Sequence, residues 1–192
     1  MCFSPQASFT VGAALLPAGI YCTQSAVRKN IGFVPLALVP IAFGVQQITE
    51  GFVWRGLNAA DAALVERSSV VFLFFAIAFW PCWIPLSLAI AESRRPQKIA
   101  LGFLAMVGLA WFGLYLPLAV DPSKWLTTEV VRHSIRYEVG ELPGFAVAPR
   151  AVWRLAYLAI ICGPLAMARF DPGGSRWASA TGGLIIAGLF AV

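Results

Sequence analysis

The sequence predicts an all-α integral membrane protein, a bundle of about six transmembrane helices with proline kinks, and three observations predict it. Of 192 residues, 59% are hydrophobic and only 12% are charged, whereas soluble domains are about half apolar and about a quarter charged. Mean hydropathy is +0.78, and the apolar residues gather into long runs separated by short polar breaks. Prolines fall inside those runs, at positions 17, 35, 40, 81, 85, 117 and 164. Each removes an intrahelical hydrogen bond and favours a kink.

Six runs follow in order: Pro5–Val27, Ile31–Trp54, Ser68–Ala91, Ile99–Val120, Ala151–Phe170 and Trp177–Val192. The first opens with Ser4 then Pro5, an N-cap followed by a first-turn proline. The first five are each about 20 residues or longer, enough to cross a ~30 Å hydrocarbon core as helix. The sixth reaches only ~24 Å and reads as a short span, a partly buried helix or a helix cut short. Residues 1–192 form a single transmembrane domain, and the one substantial soluble segment is a loop over 121–150.

No basic residue precedes the first run, so no signal peptide is expected, while Arg28 and Lys29 follow it directly. That asymmetry places the N-terminus outside the cell membrane. Arg28, Lys29, Arg94, Arg95, Lys98, Arg169 and Arg176 then crowd three short inner turns. Arg55, Arg67, Lys124, Arg132, Arg136, Arg150 and Arg154 spread over the outer side, most of them in and beside the long loop. The net charge of +5 is thereby read as setting orientation, with the lipid bilayer as partner and no nucleic acid.

The polar residues inside the runs carry the functional reading. In GVQQITEGFVWRG, Gly44 to Gly56, helical spacing puts Phe43, Gln46, Gln47, Glu50 and Trp54 on one face. Gln46 and Gln47 lie in hydrocarbon and Glu50 one turn further out, so all three should face the bundle and find partners. Arg154 stands at matching depth in the fifth run with Tyr157 three residues on, and pairing of Glu50 with Arg154, directly or through a shared ligand, is expected. Ser4 and Ser8 reach the same region from the first helix. Cys2, at that helix's anion-attracting end, is a candidate redox or metal group, as is His133 in the loop. The bland readings are helix-packing glue for the glutamines and solvation for Glu50 and His133.

The pair in FWPCWIPL frees the carbonyls of Ile77 and Pro81, at a cavity or in a bent packing helix. Cys82 and Cys162 sit near mid-membrane, either meeting or filling space. No CxxC pair supports a disulfide framework or zinc site. In the loop, RHSIRYEVGELPGF alternates Ile135, Tyr137 and Val139 with polar residues before a Gly/Pro turn signal, which predicts a short β-hairpin or surface flap.

The motifs MCFSPQASF, FGVQQITEGFVW, FWPCWIP, HSIRY and CGPL together resemble an uncharacterised group of bacterial multi-pass membrane proteins that begin Met-Cys-Phe-Ser. The resemblance covers nearly the whole chain and implies a helical membrane fold with no established activity. Members of that group continue into a further apolar helix with a Trp-Cys-Phe-Phe-like stretch, so a seven-helix bundle cut to six is expected here.

These readings converge on a pocket in the outer half of the bundle that binds or translocates a small polar molecule, ion or lipid headgroup. Ser4, Ser8, Gln46, Gln47, Glu50, Arg154 and Tyr157 would build it, under the 121–150 loop. Two alternatives stand beside it: an intramembrane enzyme using Glu50 as base or Cys2 as nucleophile, and a structural or assembly subunit with no ligand. The sequence names no cofactor and fixes no oligomeric state.

Overall fold

The structure is a computed structural model and describes residues 4–140 and 149–167. It is mostly helical. Helix α1 (Pro5–Lys29) starts as expected: Ser4 is its N-cap, accepting from the Ala7 amide at 3.2 Å, with Pro5 in the first turn. A 3₁₀ turn (Ile31–Phe33), α2 (Val34–Ala37) and α3 (Val39–Ala59) form one broken rod. The breaks fall where Pro35 and Pro40 enter the first turns of α2 and α3, the positions at which a missing N–H costs least. Helix α4 (Ala62–Leu73) is capped by Asp61 and runs through a π-helical stretch (Phe74–Phe79) into α5 (Trp80–Ala91). Helix α6 (Arg95–Val120) follows, then the single turn α7 (Pro122–Trp125), and α8 (Arg150–Met167) comes last.

Three of these rods, Ile31–Ala59, Ala62–Ala91 and Arg95–Val120, are long and apolar enough to cross a membrane among the described residues. A bundle of about six spans is not confirmed by the described residues, which show these three. Helix α1 is diluted by Gln6, Ser8, Thr10, Thr23 and Gln24, and α8 has 18 residues with Arg150 and Arg154 in its first turns. The run Trp177–Val192 lies outside the described residues. Helices also outlast their apolar runs: α3 continues past Trp54 to Ala59, and α4 begins at Ala62 rather than near Ser68.

The purely all-α expectation is corrected as well. Strands β1 (Leu126–Val131) and β2 (Ser134–Val139) form an antiparallel hairpin. The alternating strand read from the sequence is β2, but its partner precedes it. The turn is Arg132–His133, with Arg132 at φ 58°, rather than the Gly/Pro cluster that follows. The β-branched run Thr127, Thr128, Val130, Val131 supplies the missing strand. Glu129, Arg136 and Glu138 pair on the solvent face, while Leu126, Tyr137 and Val139 pack onto Phe72, Leu73, Tyr115 and Leu118. The hairpin therefore sits on the end of the bundle where α1 begins and α3 ends.

Helices α5 and α6 approach closely at Gly108. Pro81 and Pro85 are both fully buried, and the Pro81 carbonyl lies directly against the Gly108 backbone, where a Cβ would collide with it. The carbonyl that Pro85 deprives of its helical donor is thus covered by a helix, and packing, not a cavity, is what this pair of prolines serves. Replacing Gly108 by alanine is expected to lower stability by about 1–3 kcal/mol through overpacking. Gly102→Ala, where a Cβ meets nothing, should stay within about 0.5 kcal/mol of wild type; thermal unfolding in detergent micelles measures both.

Candidate functional site

Close approach of α1 and α3 makes the site. Gly12 and Gly19 on α1 face Gly44 and Gly51 on α3, each pair seven residues apart along its helix. A Cβ on Gly12 would lie 2.6 Å from Ile48, and one on Gly51 would lie 2.8 Å from the Phe9 ring. Larger residues from the partner helix occupy these notches and draw the two backbones together. One turn before Gly12 stands Ser8, and directly before Gly51 stands Glu50. The Ser8 hydroxyl donates to Glu50 Oε2 at 3.3 Å. Ser8 is 0% exposed and Glu50 1%.

One turn along α3, Gln46 Oε1 accepts from the Trp80 indole at 2.7 Å, joining α3 to α5. Phe43 flanks the same indole, with ring centroids 5.9 Å apart. Gln47 and Trp54 are buried beside these groups on the same helix. The stripe read from the sequence therefore faces the bundle as a unit. Trp80 was not foreseen as its partner, although FWPCWIP singled out that stretch for its prolines.

The hairpin closes this end. Thr128 donates to Ser69 on α4 at 3.1 Å, and Tyr137, its cross-strand neighbour, stacks on Phe72 with centroids 4.9 Å apart. The Tyr137 hydroxyl is enclosed and has no hydrogen-bond partner among the described residues. Leaving such a group unmatched costs about 1–3 kcal/mol. Burial, and behind it the charge of Glu50, raise the Tyr137 phenol above its ordinary range, so it stays protonated. Neither Ser69 nor Tyr137 was singled out beforehand; a serine in an apolar run and an inward tyrosine in an alternating strand are weak signals alone.

Two predicted members stand elsewhere. Arg154 is exposed on α8, which packs on α5 and α6, and the expected ion pair with Glu50 does not form. Depth matched, but α8 packs chiefly on α5 and α6. Tyr157 instead donates to the Ala76 carbonyl, and the reason is local. In the π-helical stretch the Trp80 amide bonds to Phe75, so Ala76 loses its usual donor. The residue five on, which would serve in that register, is Pro81. The orphaned carbonyl is thus that of Ala76 rather than Ile77, and Tyr157 supplies its hydrogen.

Ser4 caps α1 at the same end as the cluster, and Cys2 lies outside the described residues. His133 is exposed at the hairpin tip. Cys82 and Cys162 are free and half-buried. At the opposite end Glu92 is buried and held by Arg94 through contacts of 3.1 and 3.2 Å.

Two open hollows flank the site without reaching Glu50. One, about 380 Å³, lies between Gly56, Val65, Glu66 and Thr128; the other, about 390 Å³, lies between Gln6, Phe9, Arg55 and Asn58. Their walls hold no buried charge, and the chemistry concentrates instead in the enclosed cluster between them. No protein-family model, curated protein or solved structure matches this chain.

Tyr157→Phe is expected to cost about 1–3 kcal/mol by stranding the Ala76 carbonyl. Adding Pro81→Ala restores a backbone N–H within reach of that carbonyl and should recover most of the loss. A double-mutant cycle in denaturant measures the coupling; strictly additive losses would contradict this role for Tyr157.

Proposed function

We propose that this chain is a multi-pass cell-membrane protein, N-terminus outside, of the bacterial group its motifs resemble, and that it binds or translocates a small polar molecule, ion or lipid headgroup through the cluster around Glu50. The observation that carries this reading is the burial of one carboxylate, 1% exposed, in the membrane-type part of the molecule. Ionisable groups in such segments are costly and mark binding sites or ion paths by default. The hairpin docks on α4 and α6 at the same end of the bundle, with a charged outer face and an apolar, hydroxyl-bearing inner face. An occupant would arrive from that side. Glu50 sets the charge, Ser8 orients its carboxylate, and the Gln46–Trp80 bond fixes α3 against α5. Kinking at the interior prolines would shape the bundle around this point.

A second reading is favoured by the internal pairing of Gln46 with Trp80, Thr128 with Ser69 and Tyr157 with Ala76. Polar groups that satisfy one another act as glue, and on that reading the chain is a structural or assembly subunit.

Native mass spectrometry of gently solubilised wild type and Glu50→Gln separates the two. Binding predicts a stoichiometric ligand on wild type that the variant lacks, with both proteins equally folded. Two equally bare and equally stable proteins would favour the structural subunit.

A further inference from the structure

We propose that the hollow between the start of α1 and the end of α3 seats the headgroup of one anionic phospholipid, with Arg55 holding its phosphate. The site is separate from the Glu50 cluster. It rests on the membrane location proposed above and not on that cluster.

The hollow has a volume of about 390 Å³, within the ~300–1,000 Å³ usual for small-molecule sites. Its wall sets Arg55, Asn58 and Gln6 over Phe9 and Ala59, and it contains no acid. The Arg55 side chain makes no ion pair or hydrogen bond among the described residues, and the side-chain amides of Asn58 and Gln6 make none either. A guanidinium presents a planar fork of donors that matches phosphate oxygens, and the two amides add donors beside it.

Depth and shape say which phosphate. Arg55 is the first residue beyond the apolar run that ends at Trp54, in the membrane-type rod Ile31–Ala59. That is the level at which basic side chains meet lipid headgroups. Below it, Val45, Phe52, Arg55 and Ala59 follow one another at helical spacing on a single face of α3. Val45 is 39% exposed and Phe52 38%, and Phe9 of α1 meets Phe52 edge-on with ring centroids 5.3 Å apart. One cation above an exposed apolar strip matches an amphiphile, a charged head on an acyl chain.

A lone arginine at the mouth of an open hollow holds a free anion weakly, because water competes for both. A phospholipid is kept at this depth by its own chains, so the effective concentration of phosphate beside Arg55 is high and one cation suffices. A choline headgroup carries an ammonium for which the wall offers no acid, and the preference is therefore for headgroups of net negative charge.

The test is native mass spectrometry of the full chain in detergent micelles, with phosphatidylglycerol and phosphatidylcholine added in equal amounts. Wild type should carry one phosphatidylglycerol, severalfold in preference to phosphatidylcholine. Arg55→Gln should lose that preference, and Ala59→Trp, which fills the hollow and keeps the charge, should lose it too. Both positions are exposed, so thermal unfolding should find both variants folded. Arg67→Gln removes an exposed arginine of α4 that does not line the hollow, and it should leave the preference intact. No preference in wild type, or a preference retained in Arg55→Gln or Ala59→Trp, overturns the site. An equal loss in Arg67→Gln overturns it as diffuse charge attraction. Displacement of the lipid by inorganic phosphate at the same concentration overturns the lipid as occupant and marks a soluble anion. If wild type shows no lipid preference but holds another ligand that Glu50→Gln lacks, this site is wrong and the Glu50 reading stands. A lipid lost in Arg55→Gln from a protein otherwise bare leaves this site standing without the Glu50 one.

Discussion

The rest of the structure depends on the burial of the Glu50 carboxylate. An ionised carboxylate taken from water loses several kcal/mol of hydration even after relaxation, on the order assigned to buried ions in general. That loss is tolerable only where neighbours are fixed in advance. Here the fixing is done by absence of side chains: Gly12, Gly19, Gly44 and Gly51 let α1 and α3 close until a serine hydroxyl meets the acid. A helix pair held apart by alanine or leucine at those positions would leave Ser8 short of Glu50. The glycines lower helix propensity, so their concentration along one seam is understandable only through the contact they permit.

The same accounting governs the backbone of the α4–α5 rod. Pro81 withholds an amide, the chain widens into a π turn, and the defect moves to Ala76, where Tyr157 of α8 meets it. Pro85 withholds another, and Gly108 of α6 covers the Pro81 carbonyl. Two prolines thus specify two neighbours. Buried carbonyls must find a partner or be covered, so unmatched ones are a source of specificity, and α6 and α8 are selected by what α5 lacks.

How far the sequence could be read follows from which of these effects are local. The cap at Ser4, the apolar runs, the inward stripe through Gln46, Gln47 and Glu50, and the alternation around Tyr137 depend on residues a turn or two apart, and each was legible. Helix ends were not: polar residues such as Arg55, Asn58 and Glu66 lie beyond the apolar runs yet remain helical, because the left-handed Ala60 ends α3 and the Asp61 cap begins α4, not hydropathy. Partners were the least legible. Arg154 had the right depth for Glu50, but depth does not say which helices adjoin, and α8 lies against α5 and α6 instead. Trp80 meets the stripe, Ser69 meets Thr128 and Tyr137 meets Phe72 only through tertiary packing. The π register was hidden for a related reason: a proline fixes which donor is missing, not how the turn before it redistributes the rest.

The hairpin draws these strands of argument together. A two-stranded sheet has marginal stability on its own in water, so β1 and β2 owe their order to what lies beneath them. That surface consists of the Phe72 ring under Tyr137, the Ser69 hydroxyl under Thr128, and the Leu118 and Tyr115 packing below Trp125 and Val139. Two of the inward groups, Thr128 and Tyr137, are cross-strand partners, so they move together or not at all. Burial in this docked position, and behind it the charge of Glu50, keep the Tyr137 phenol protonated.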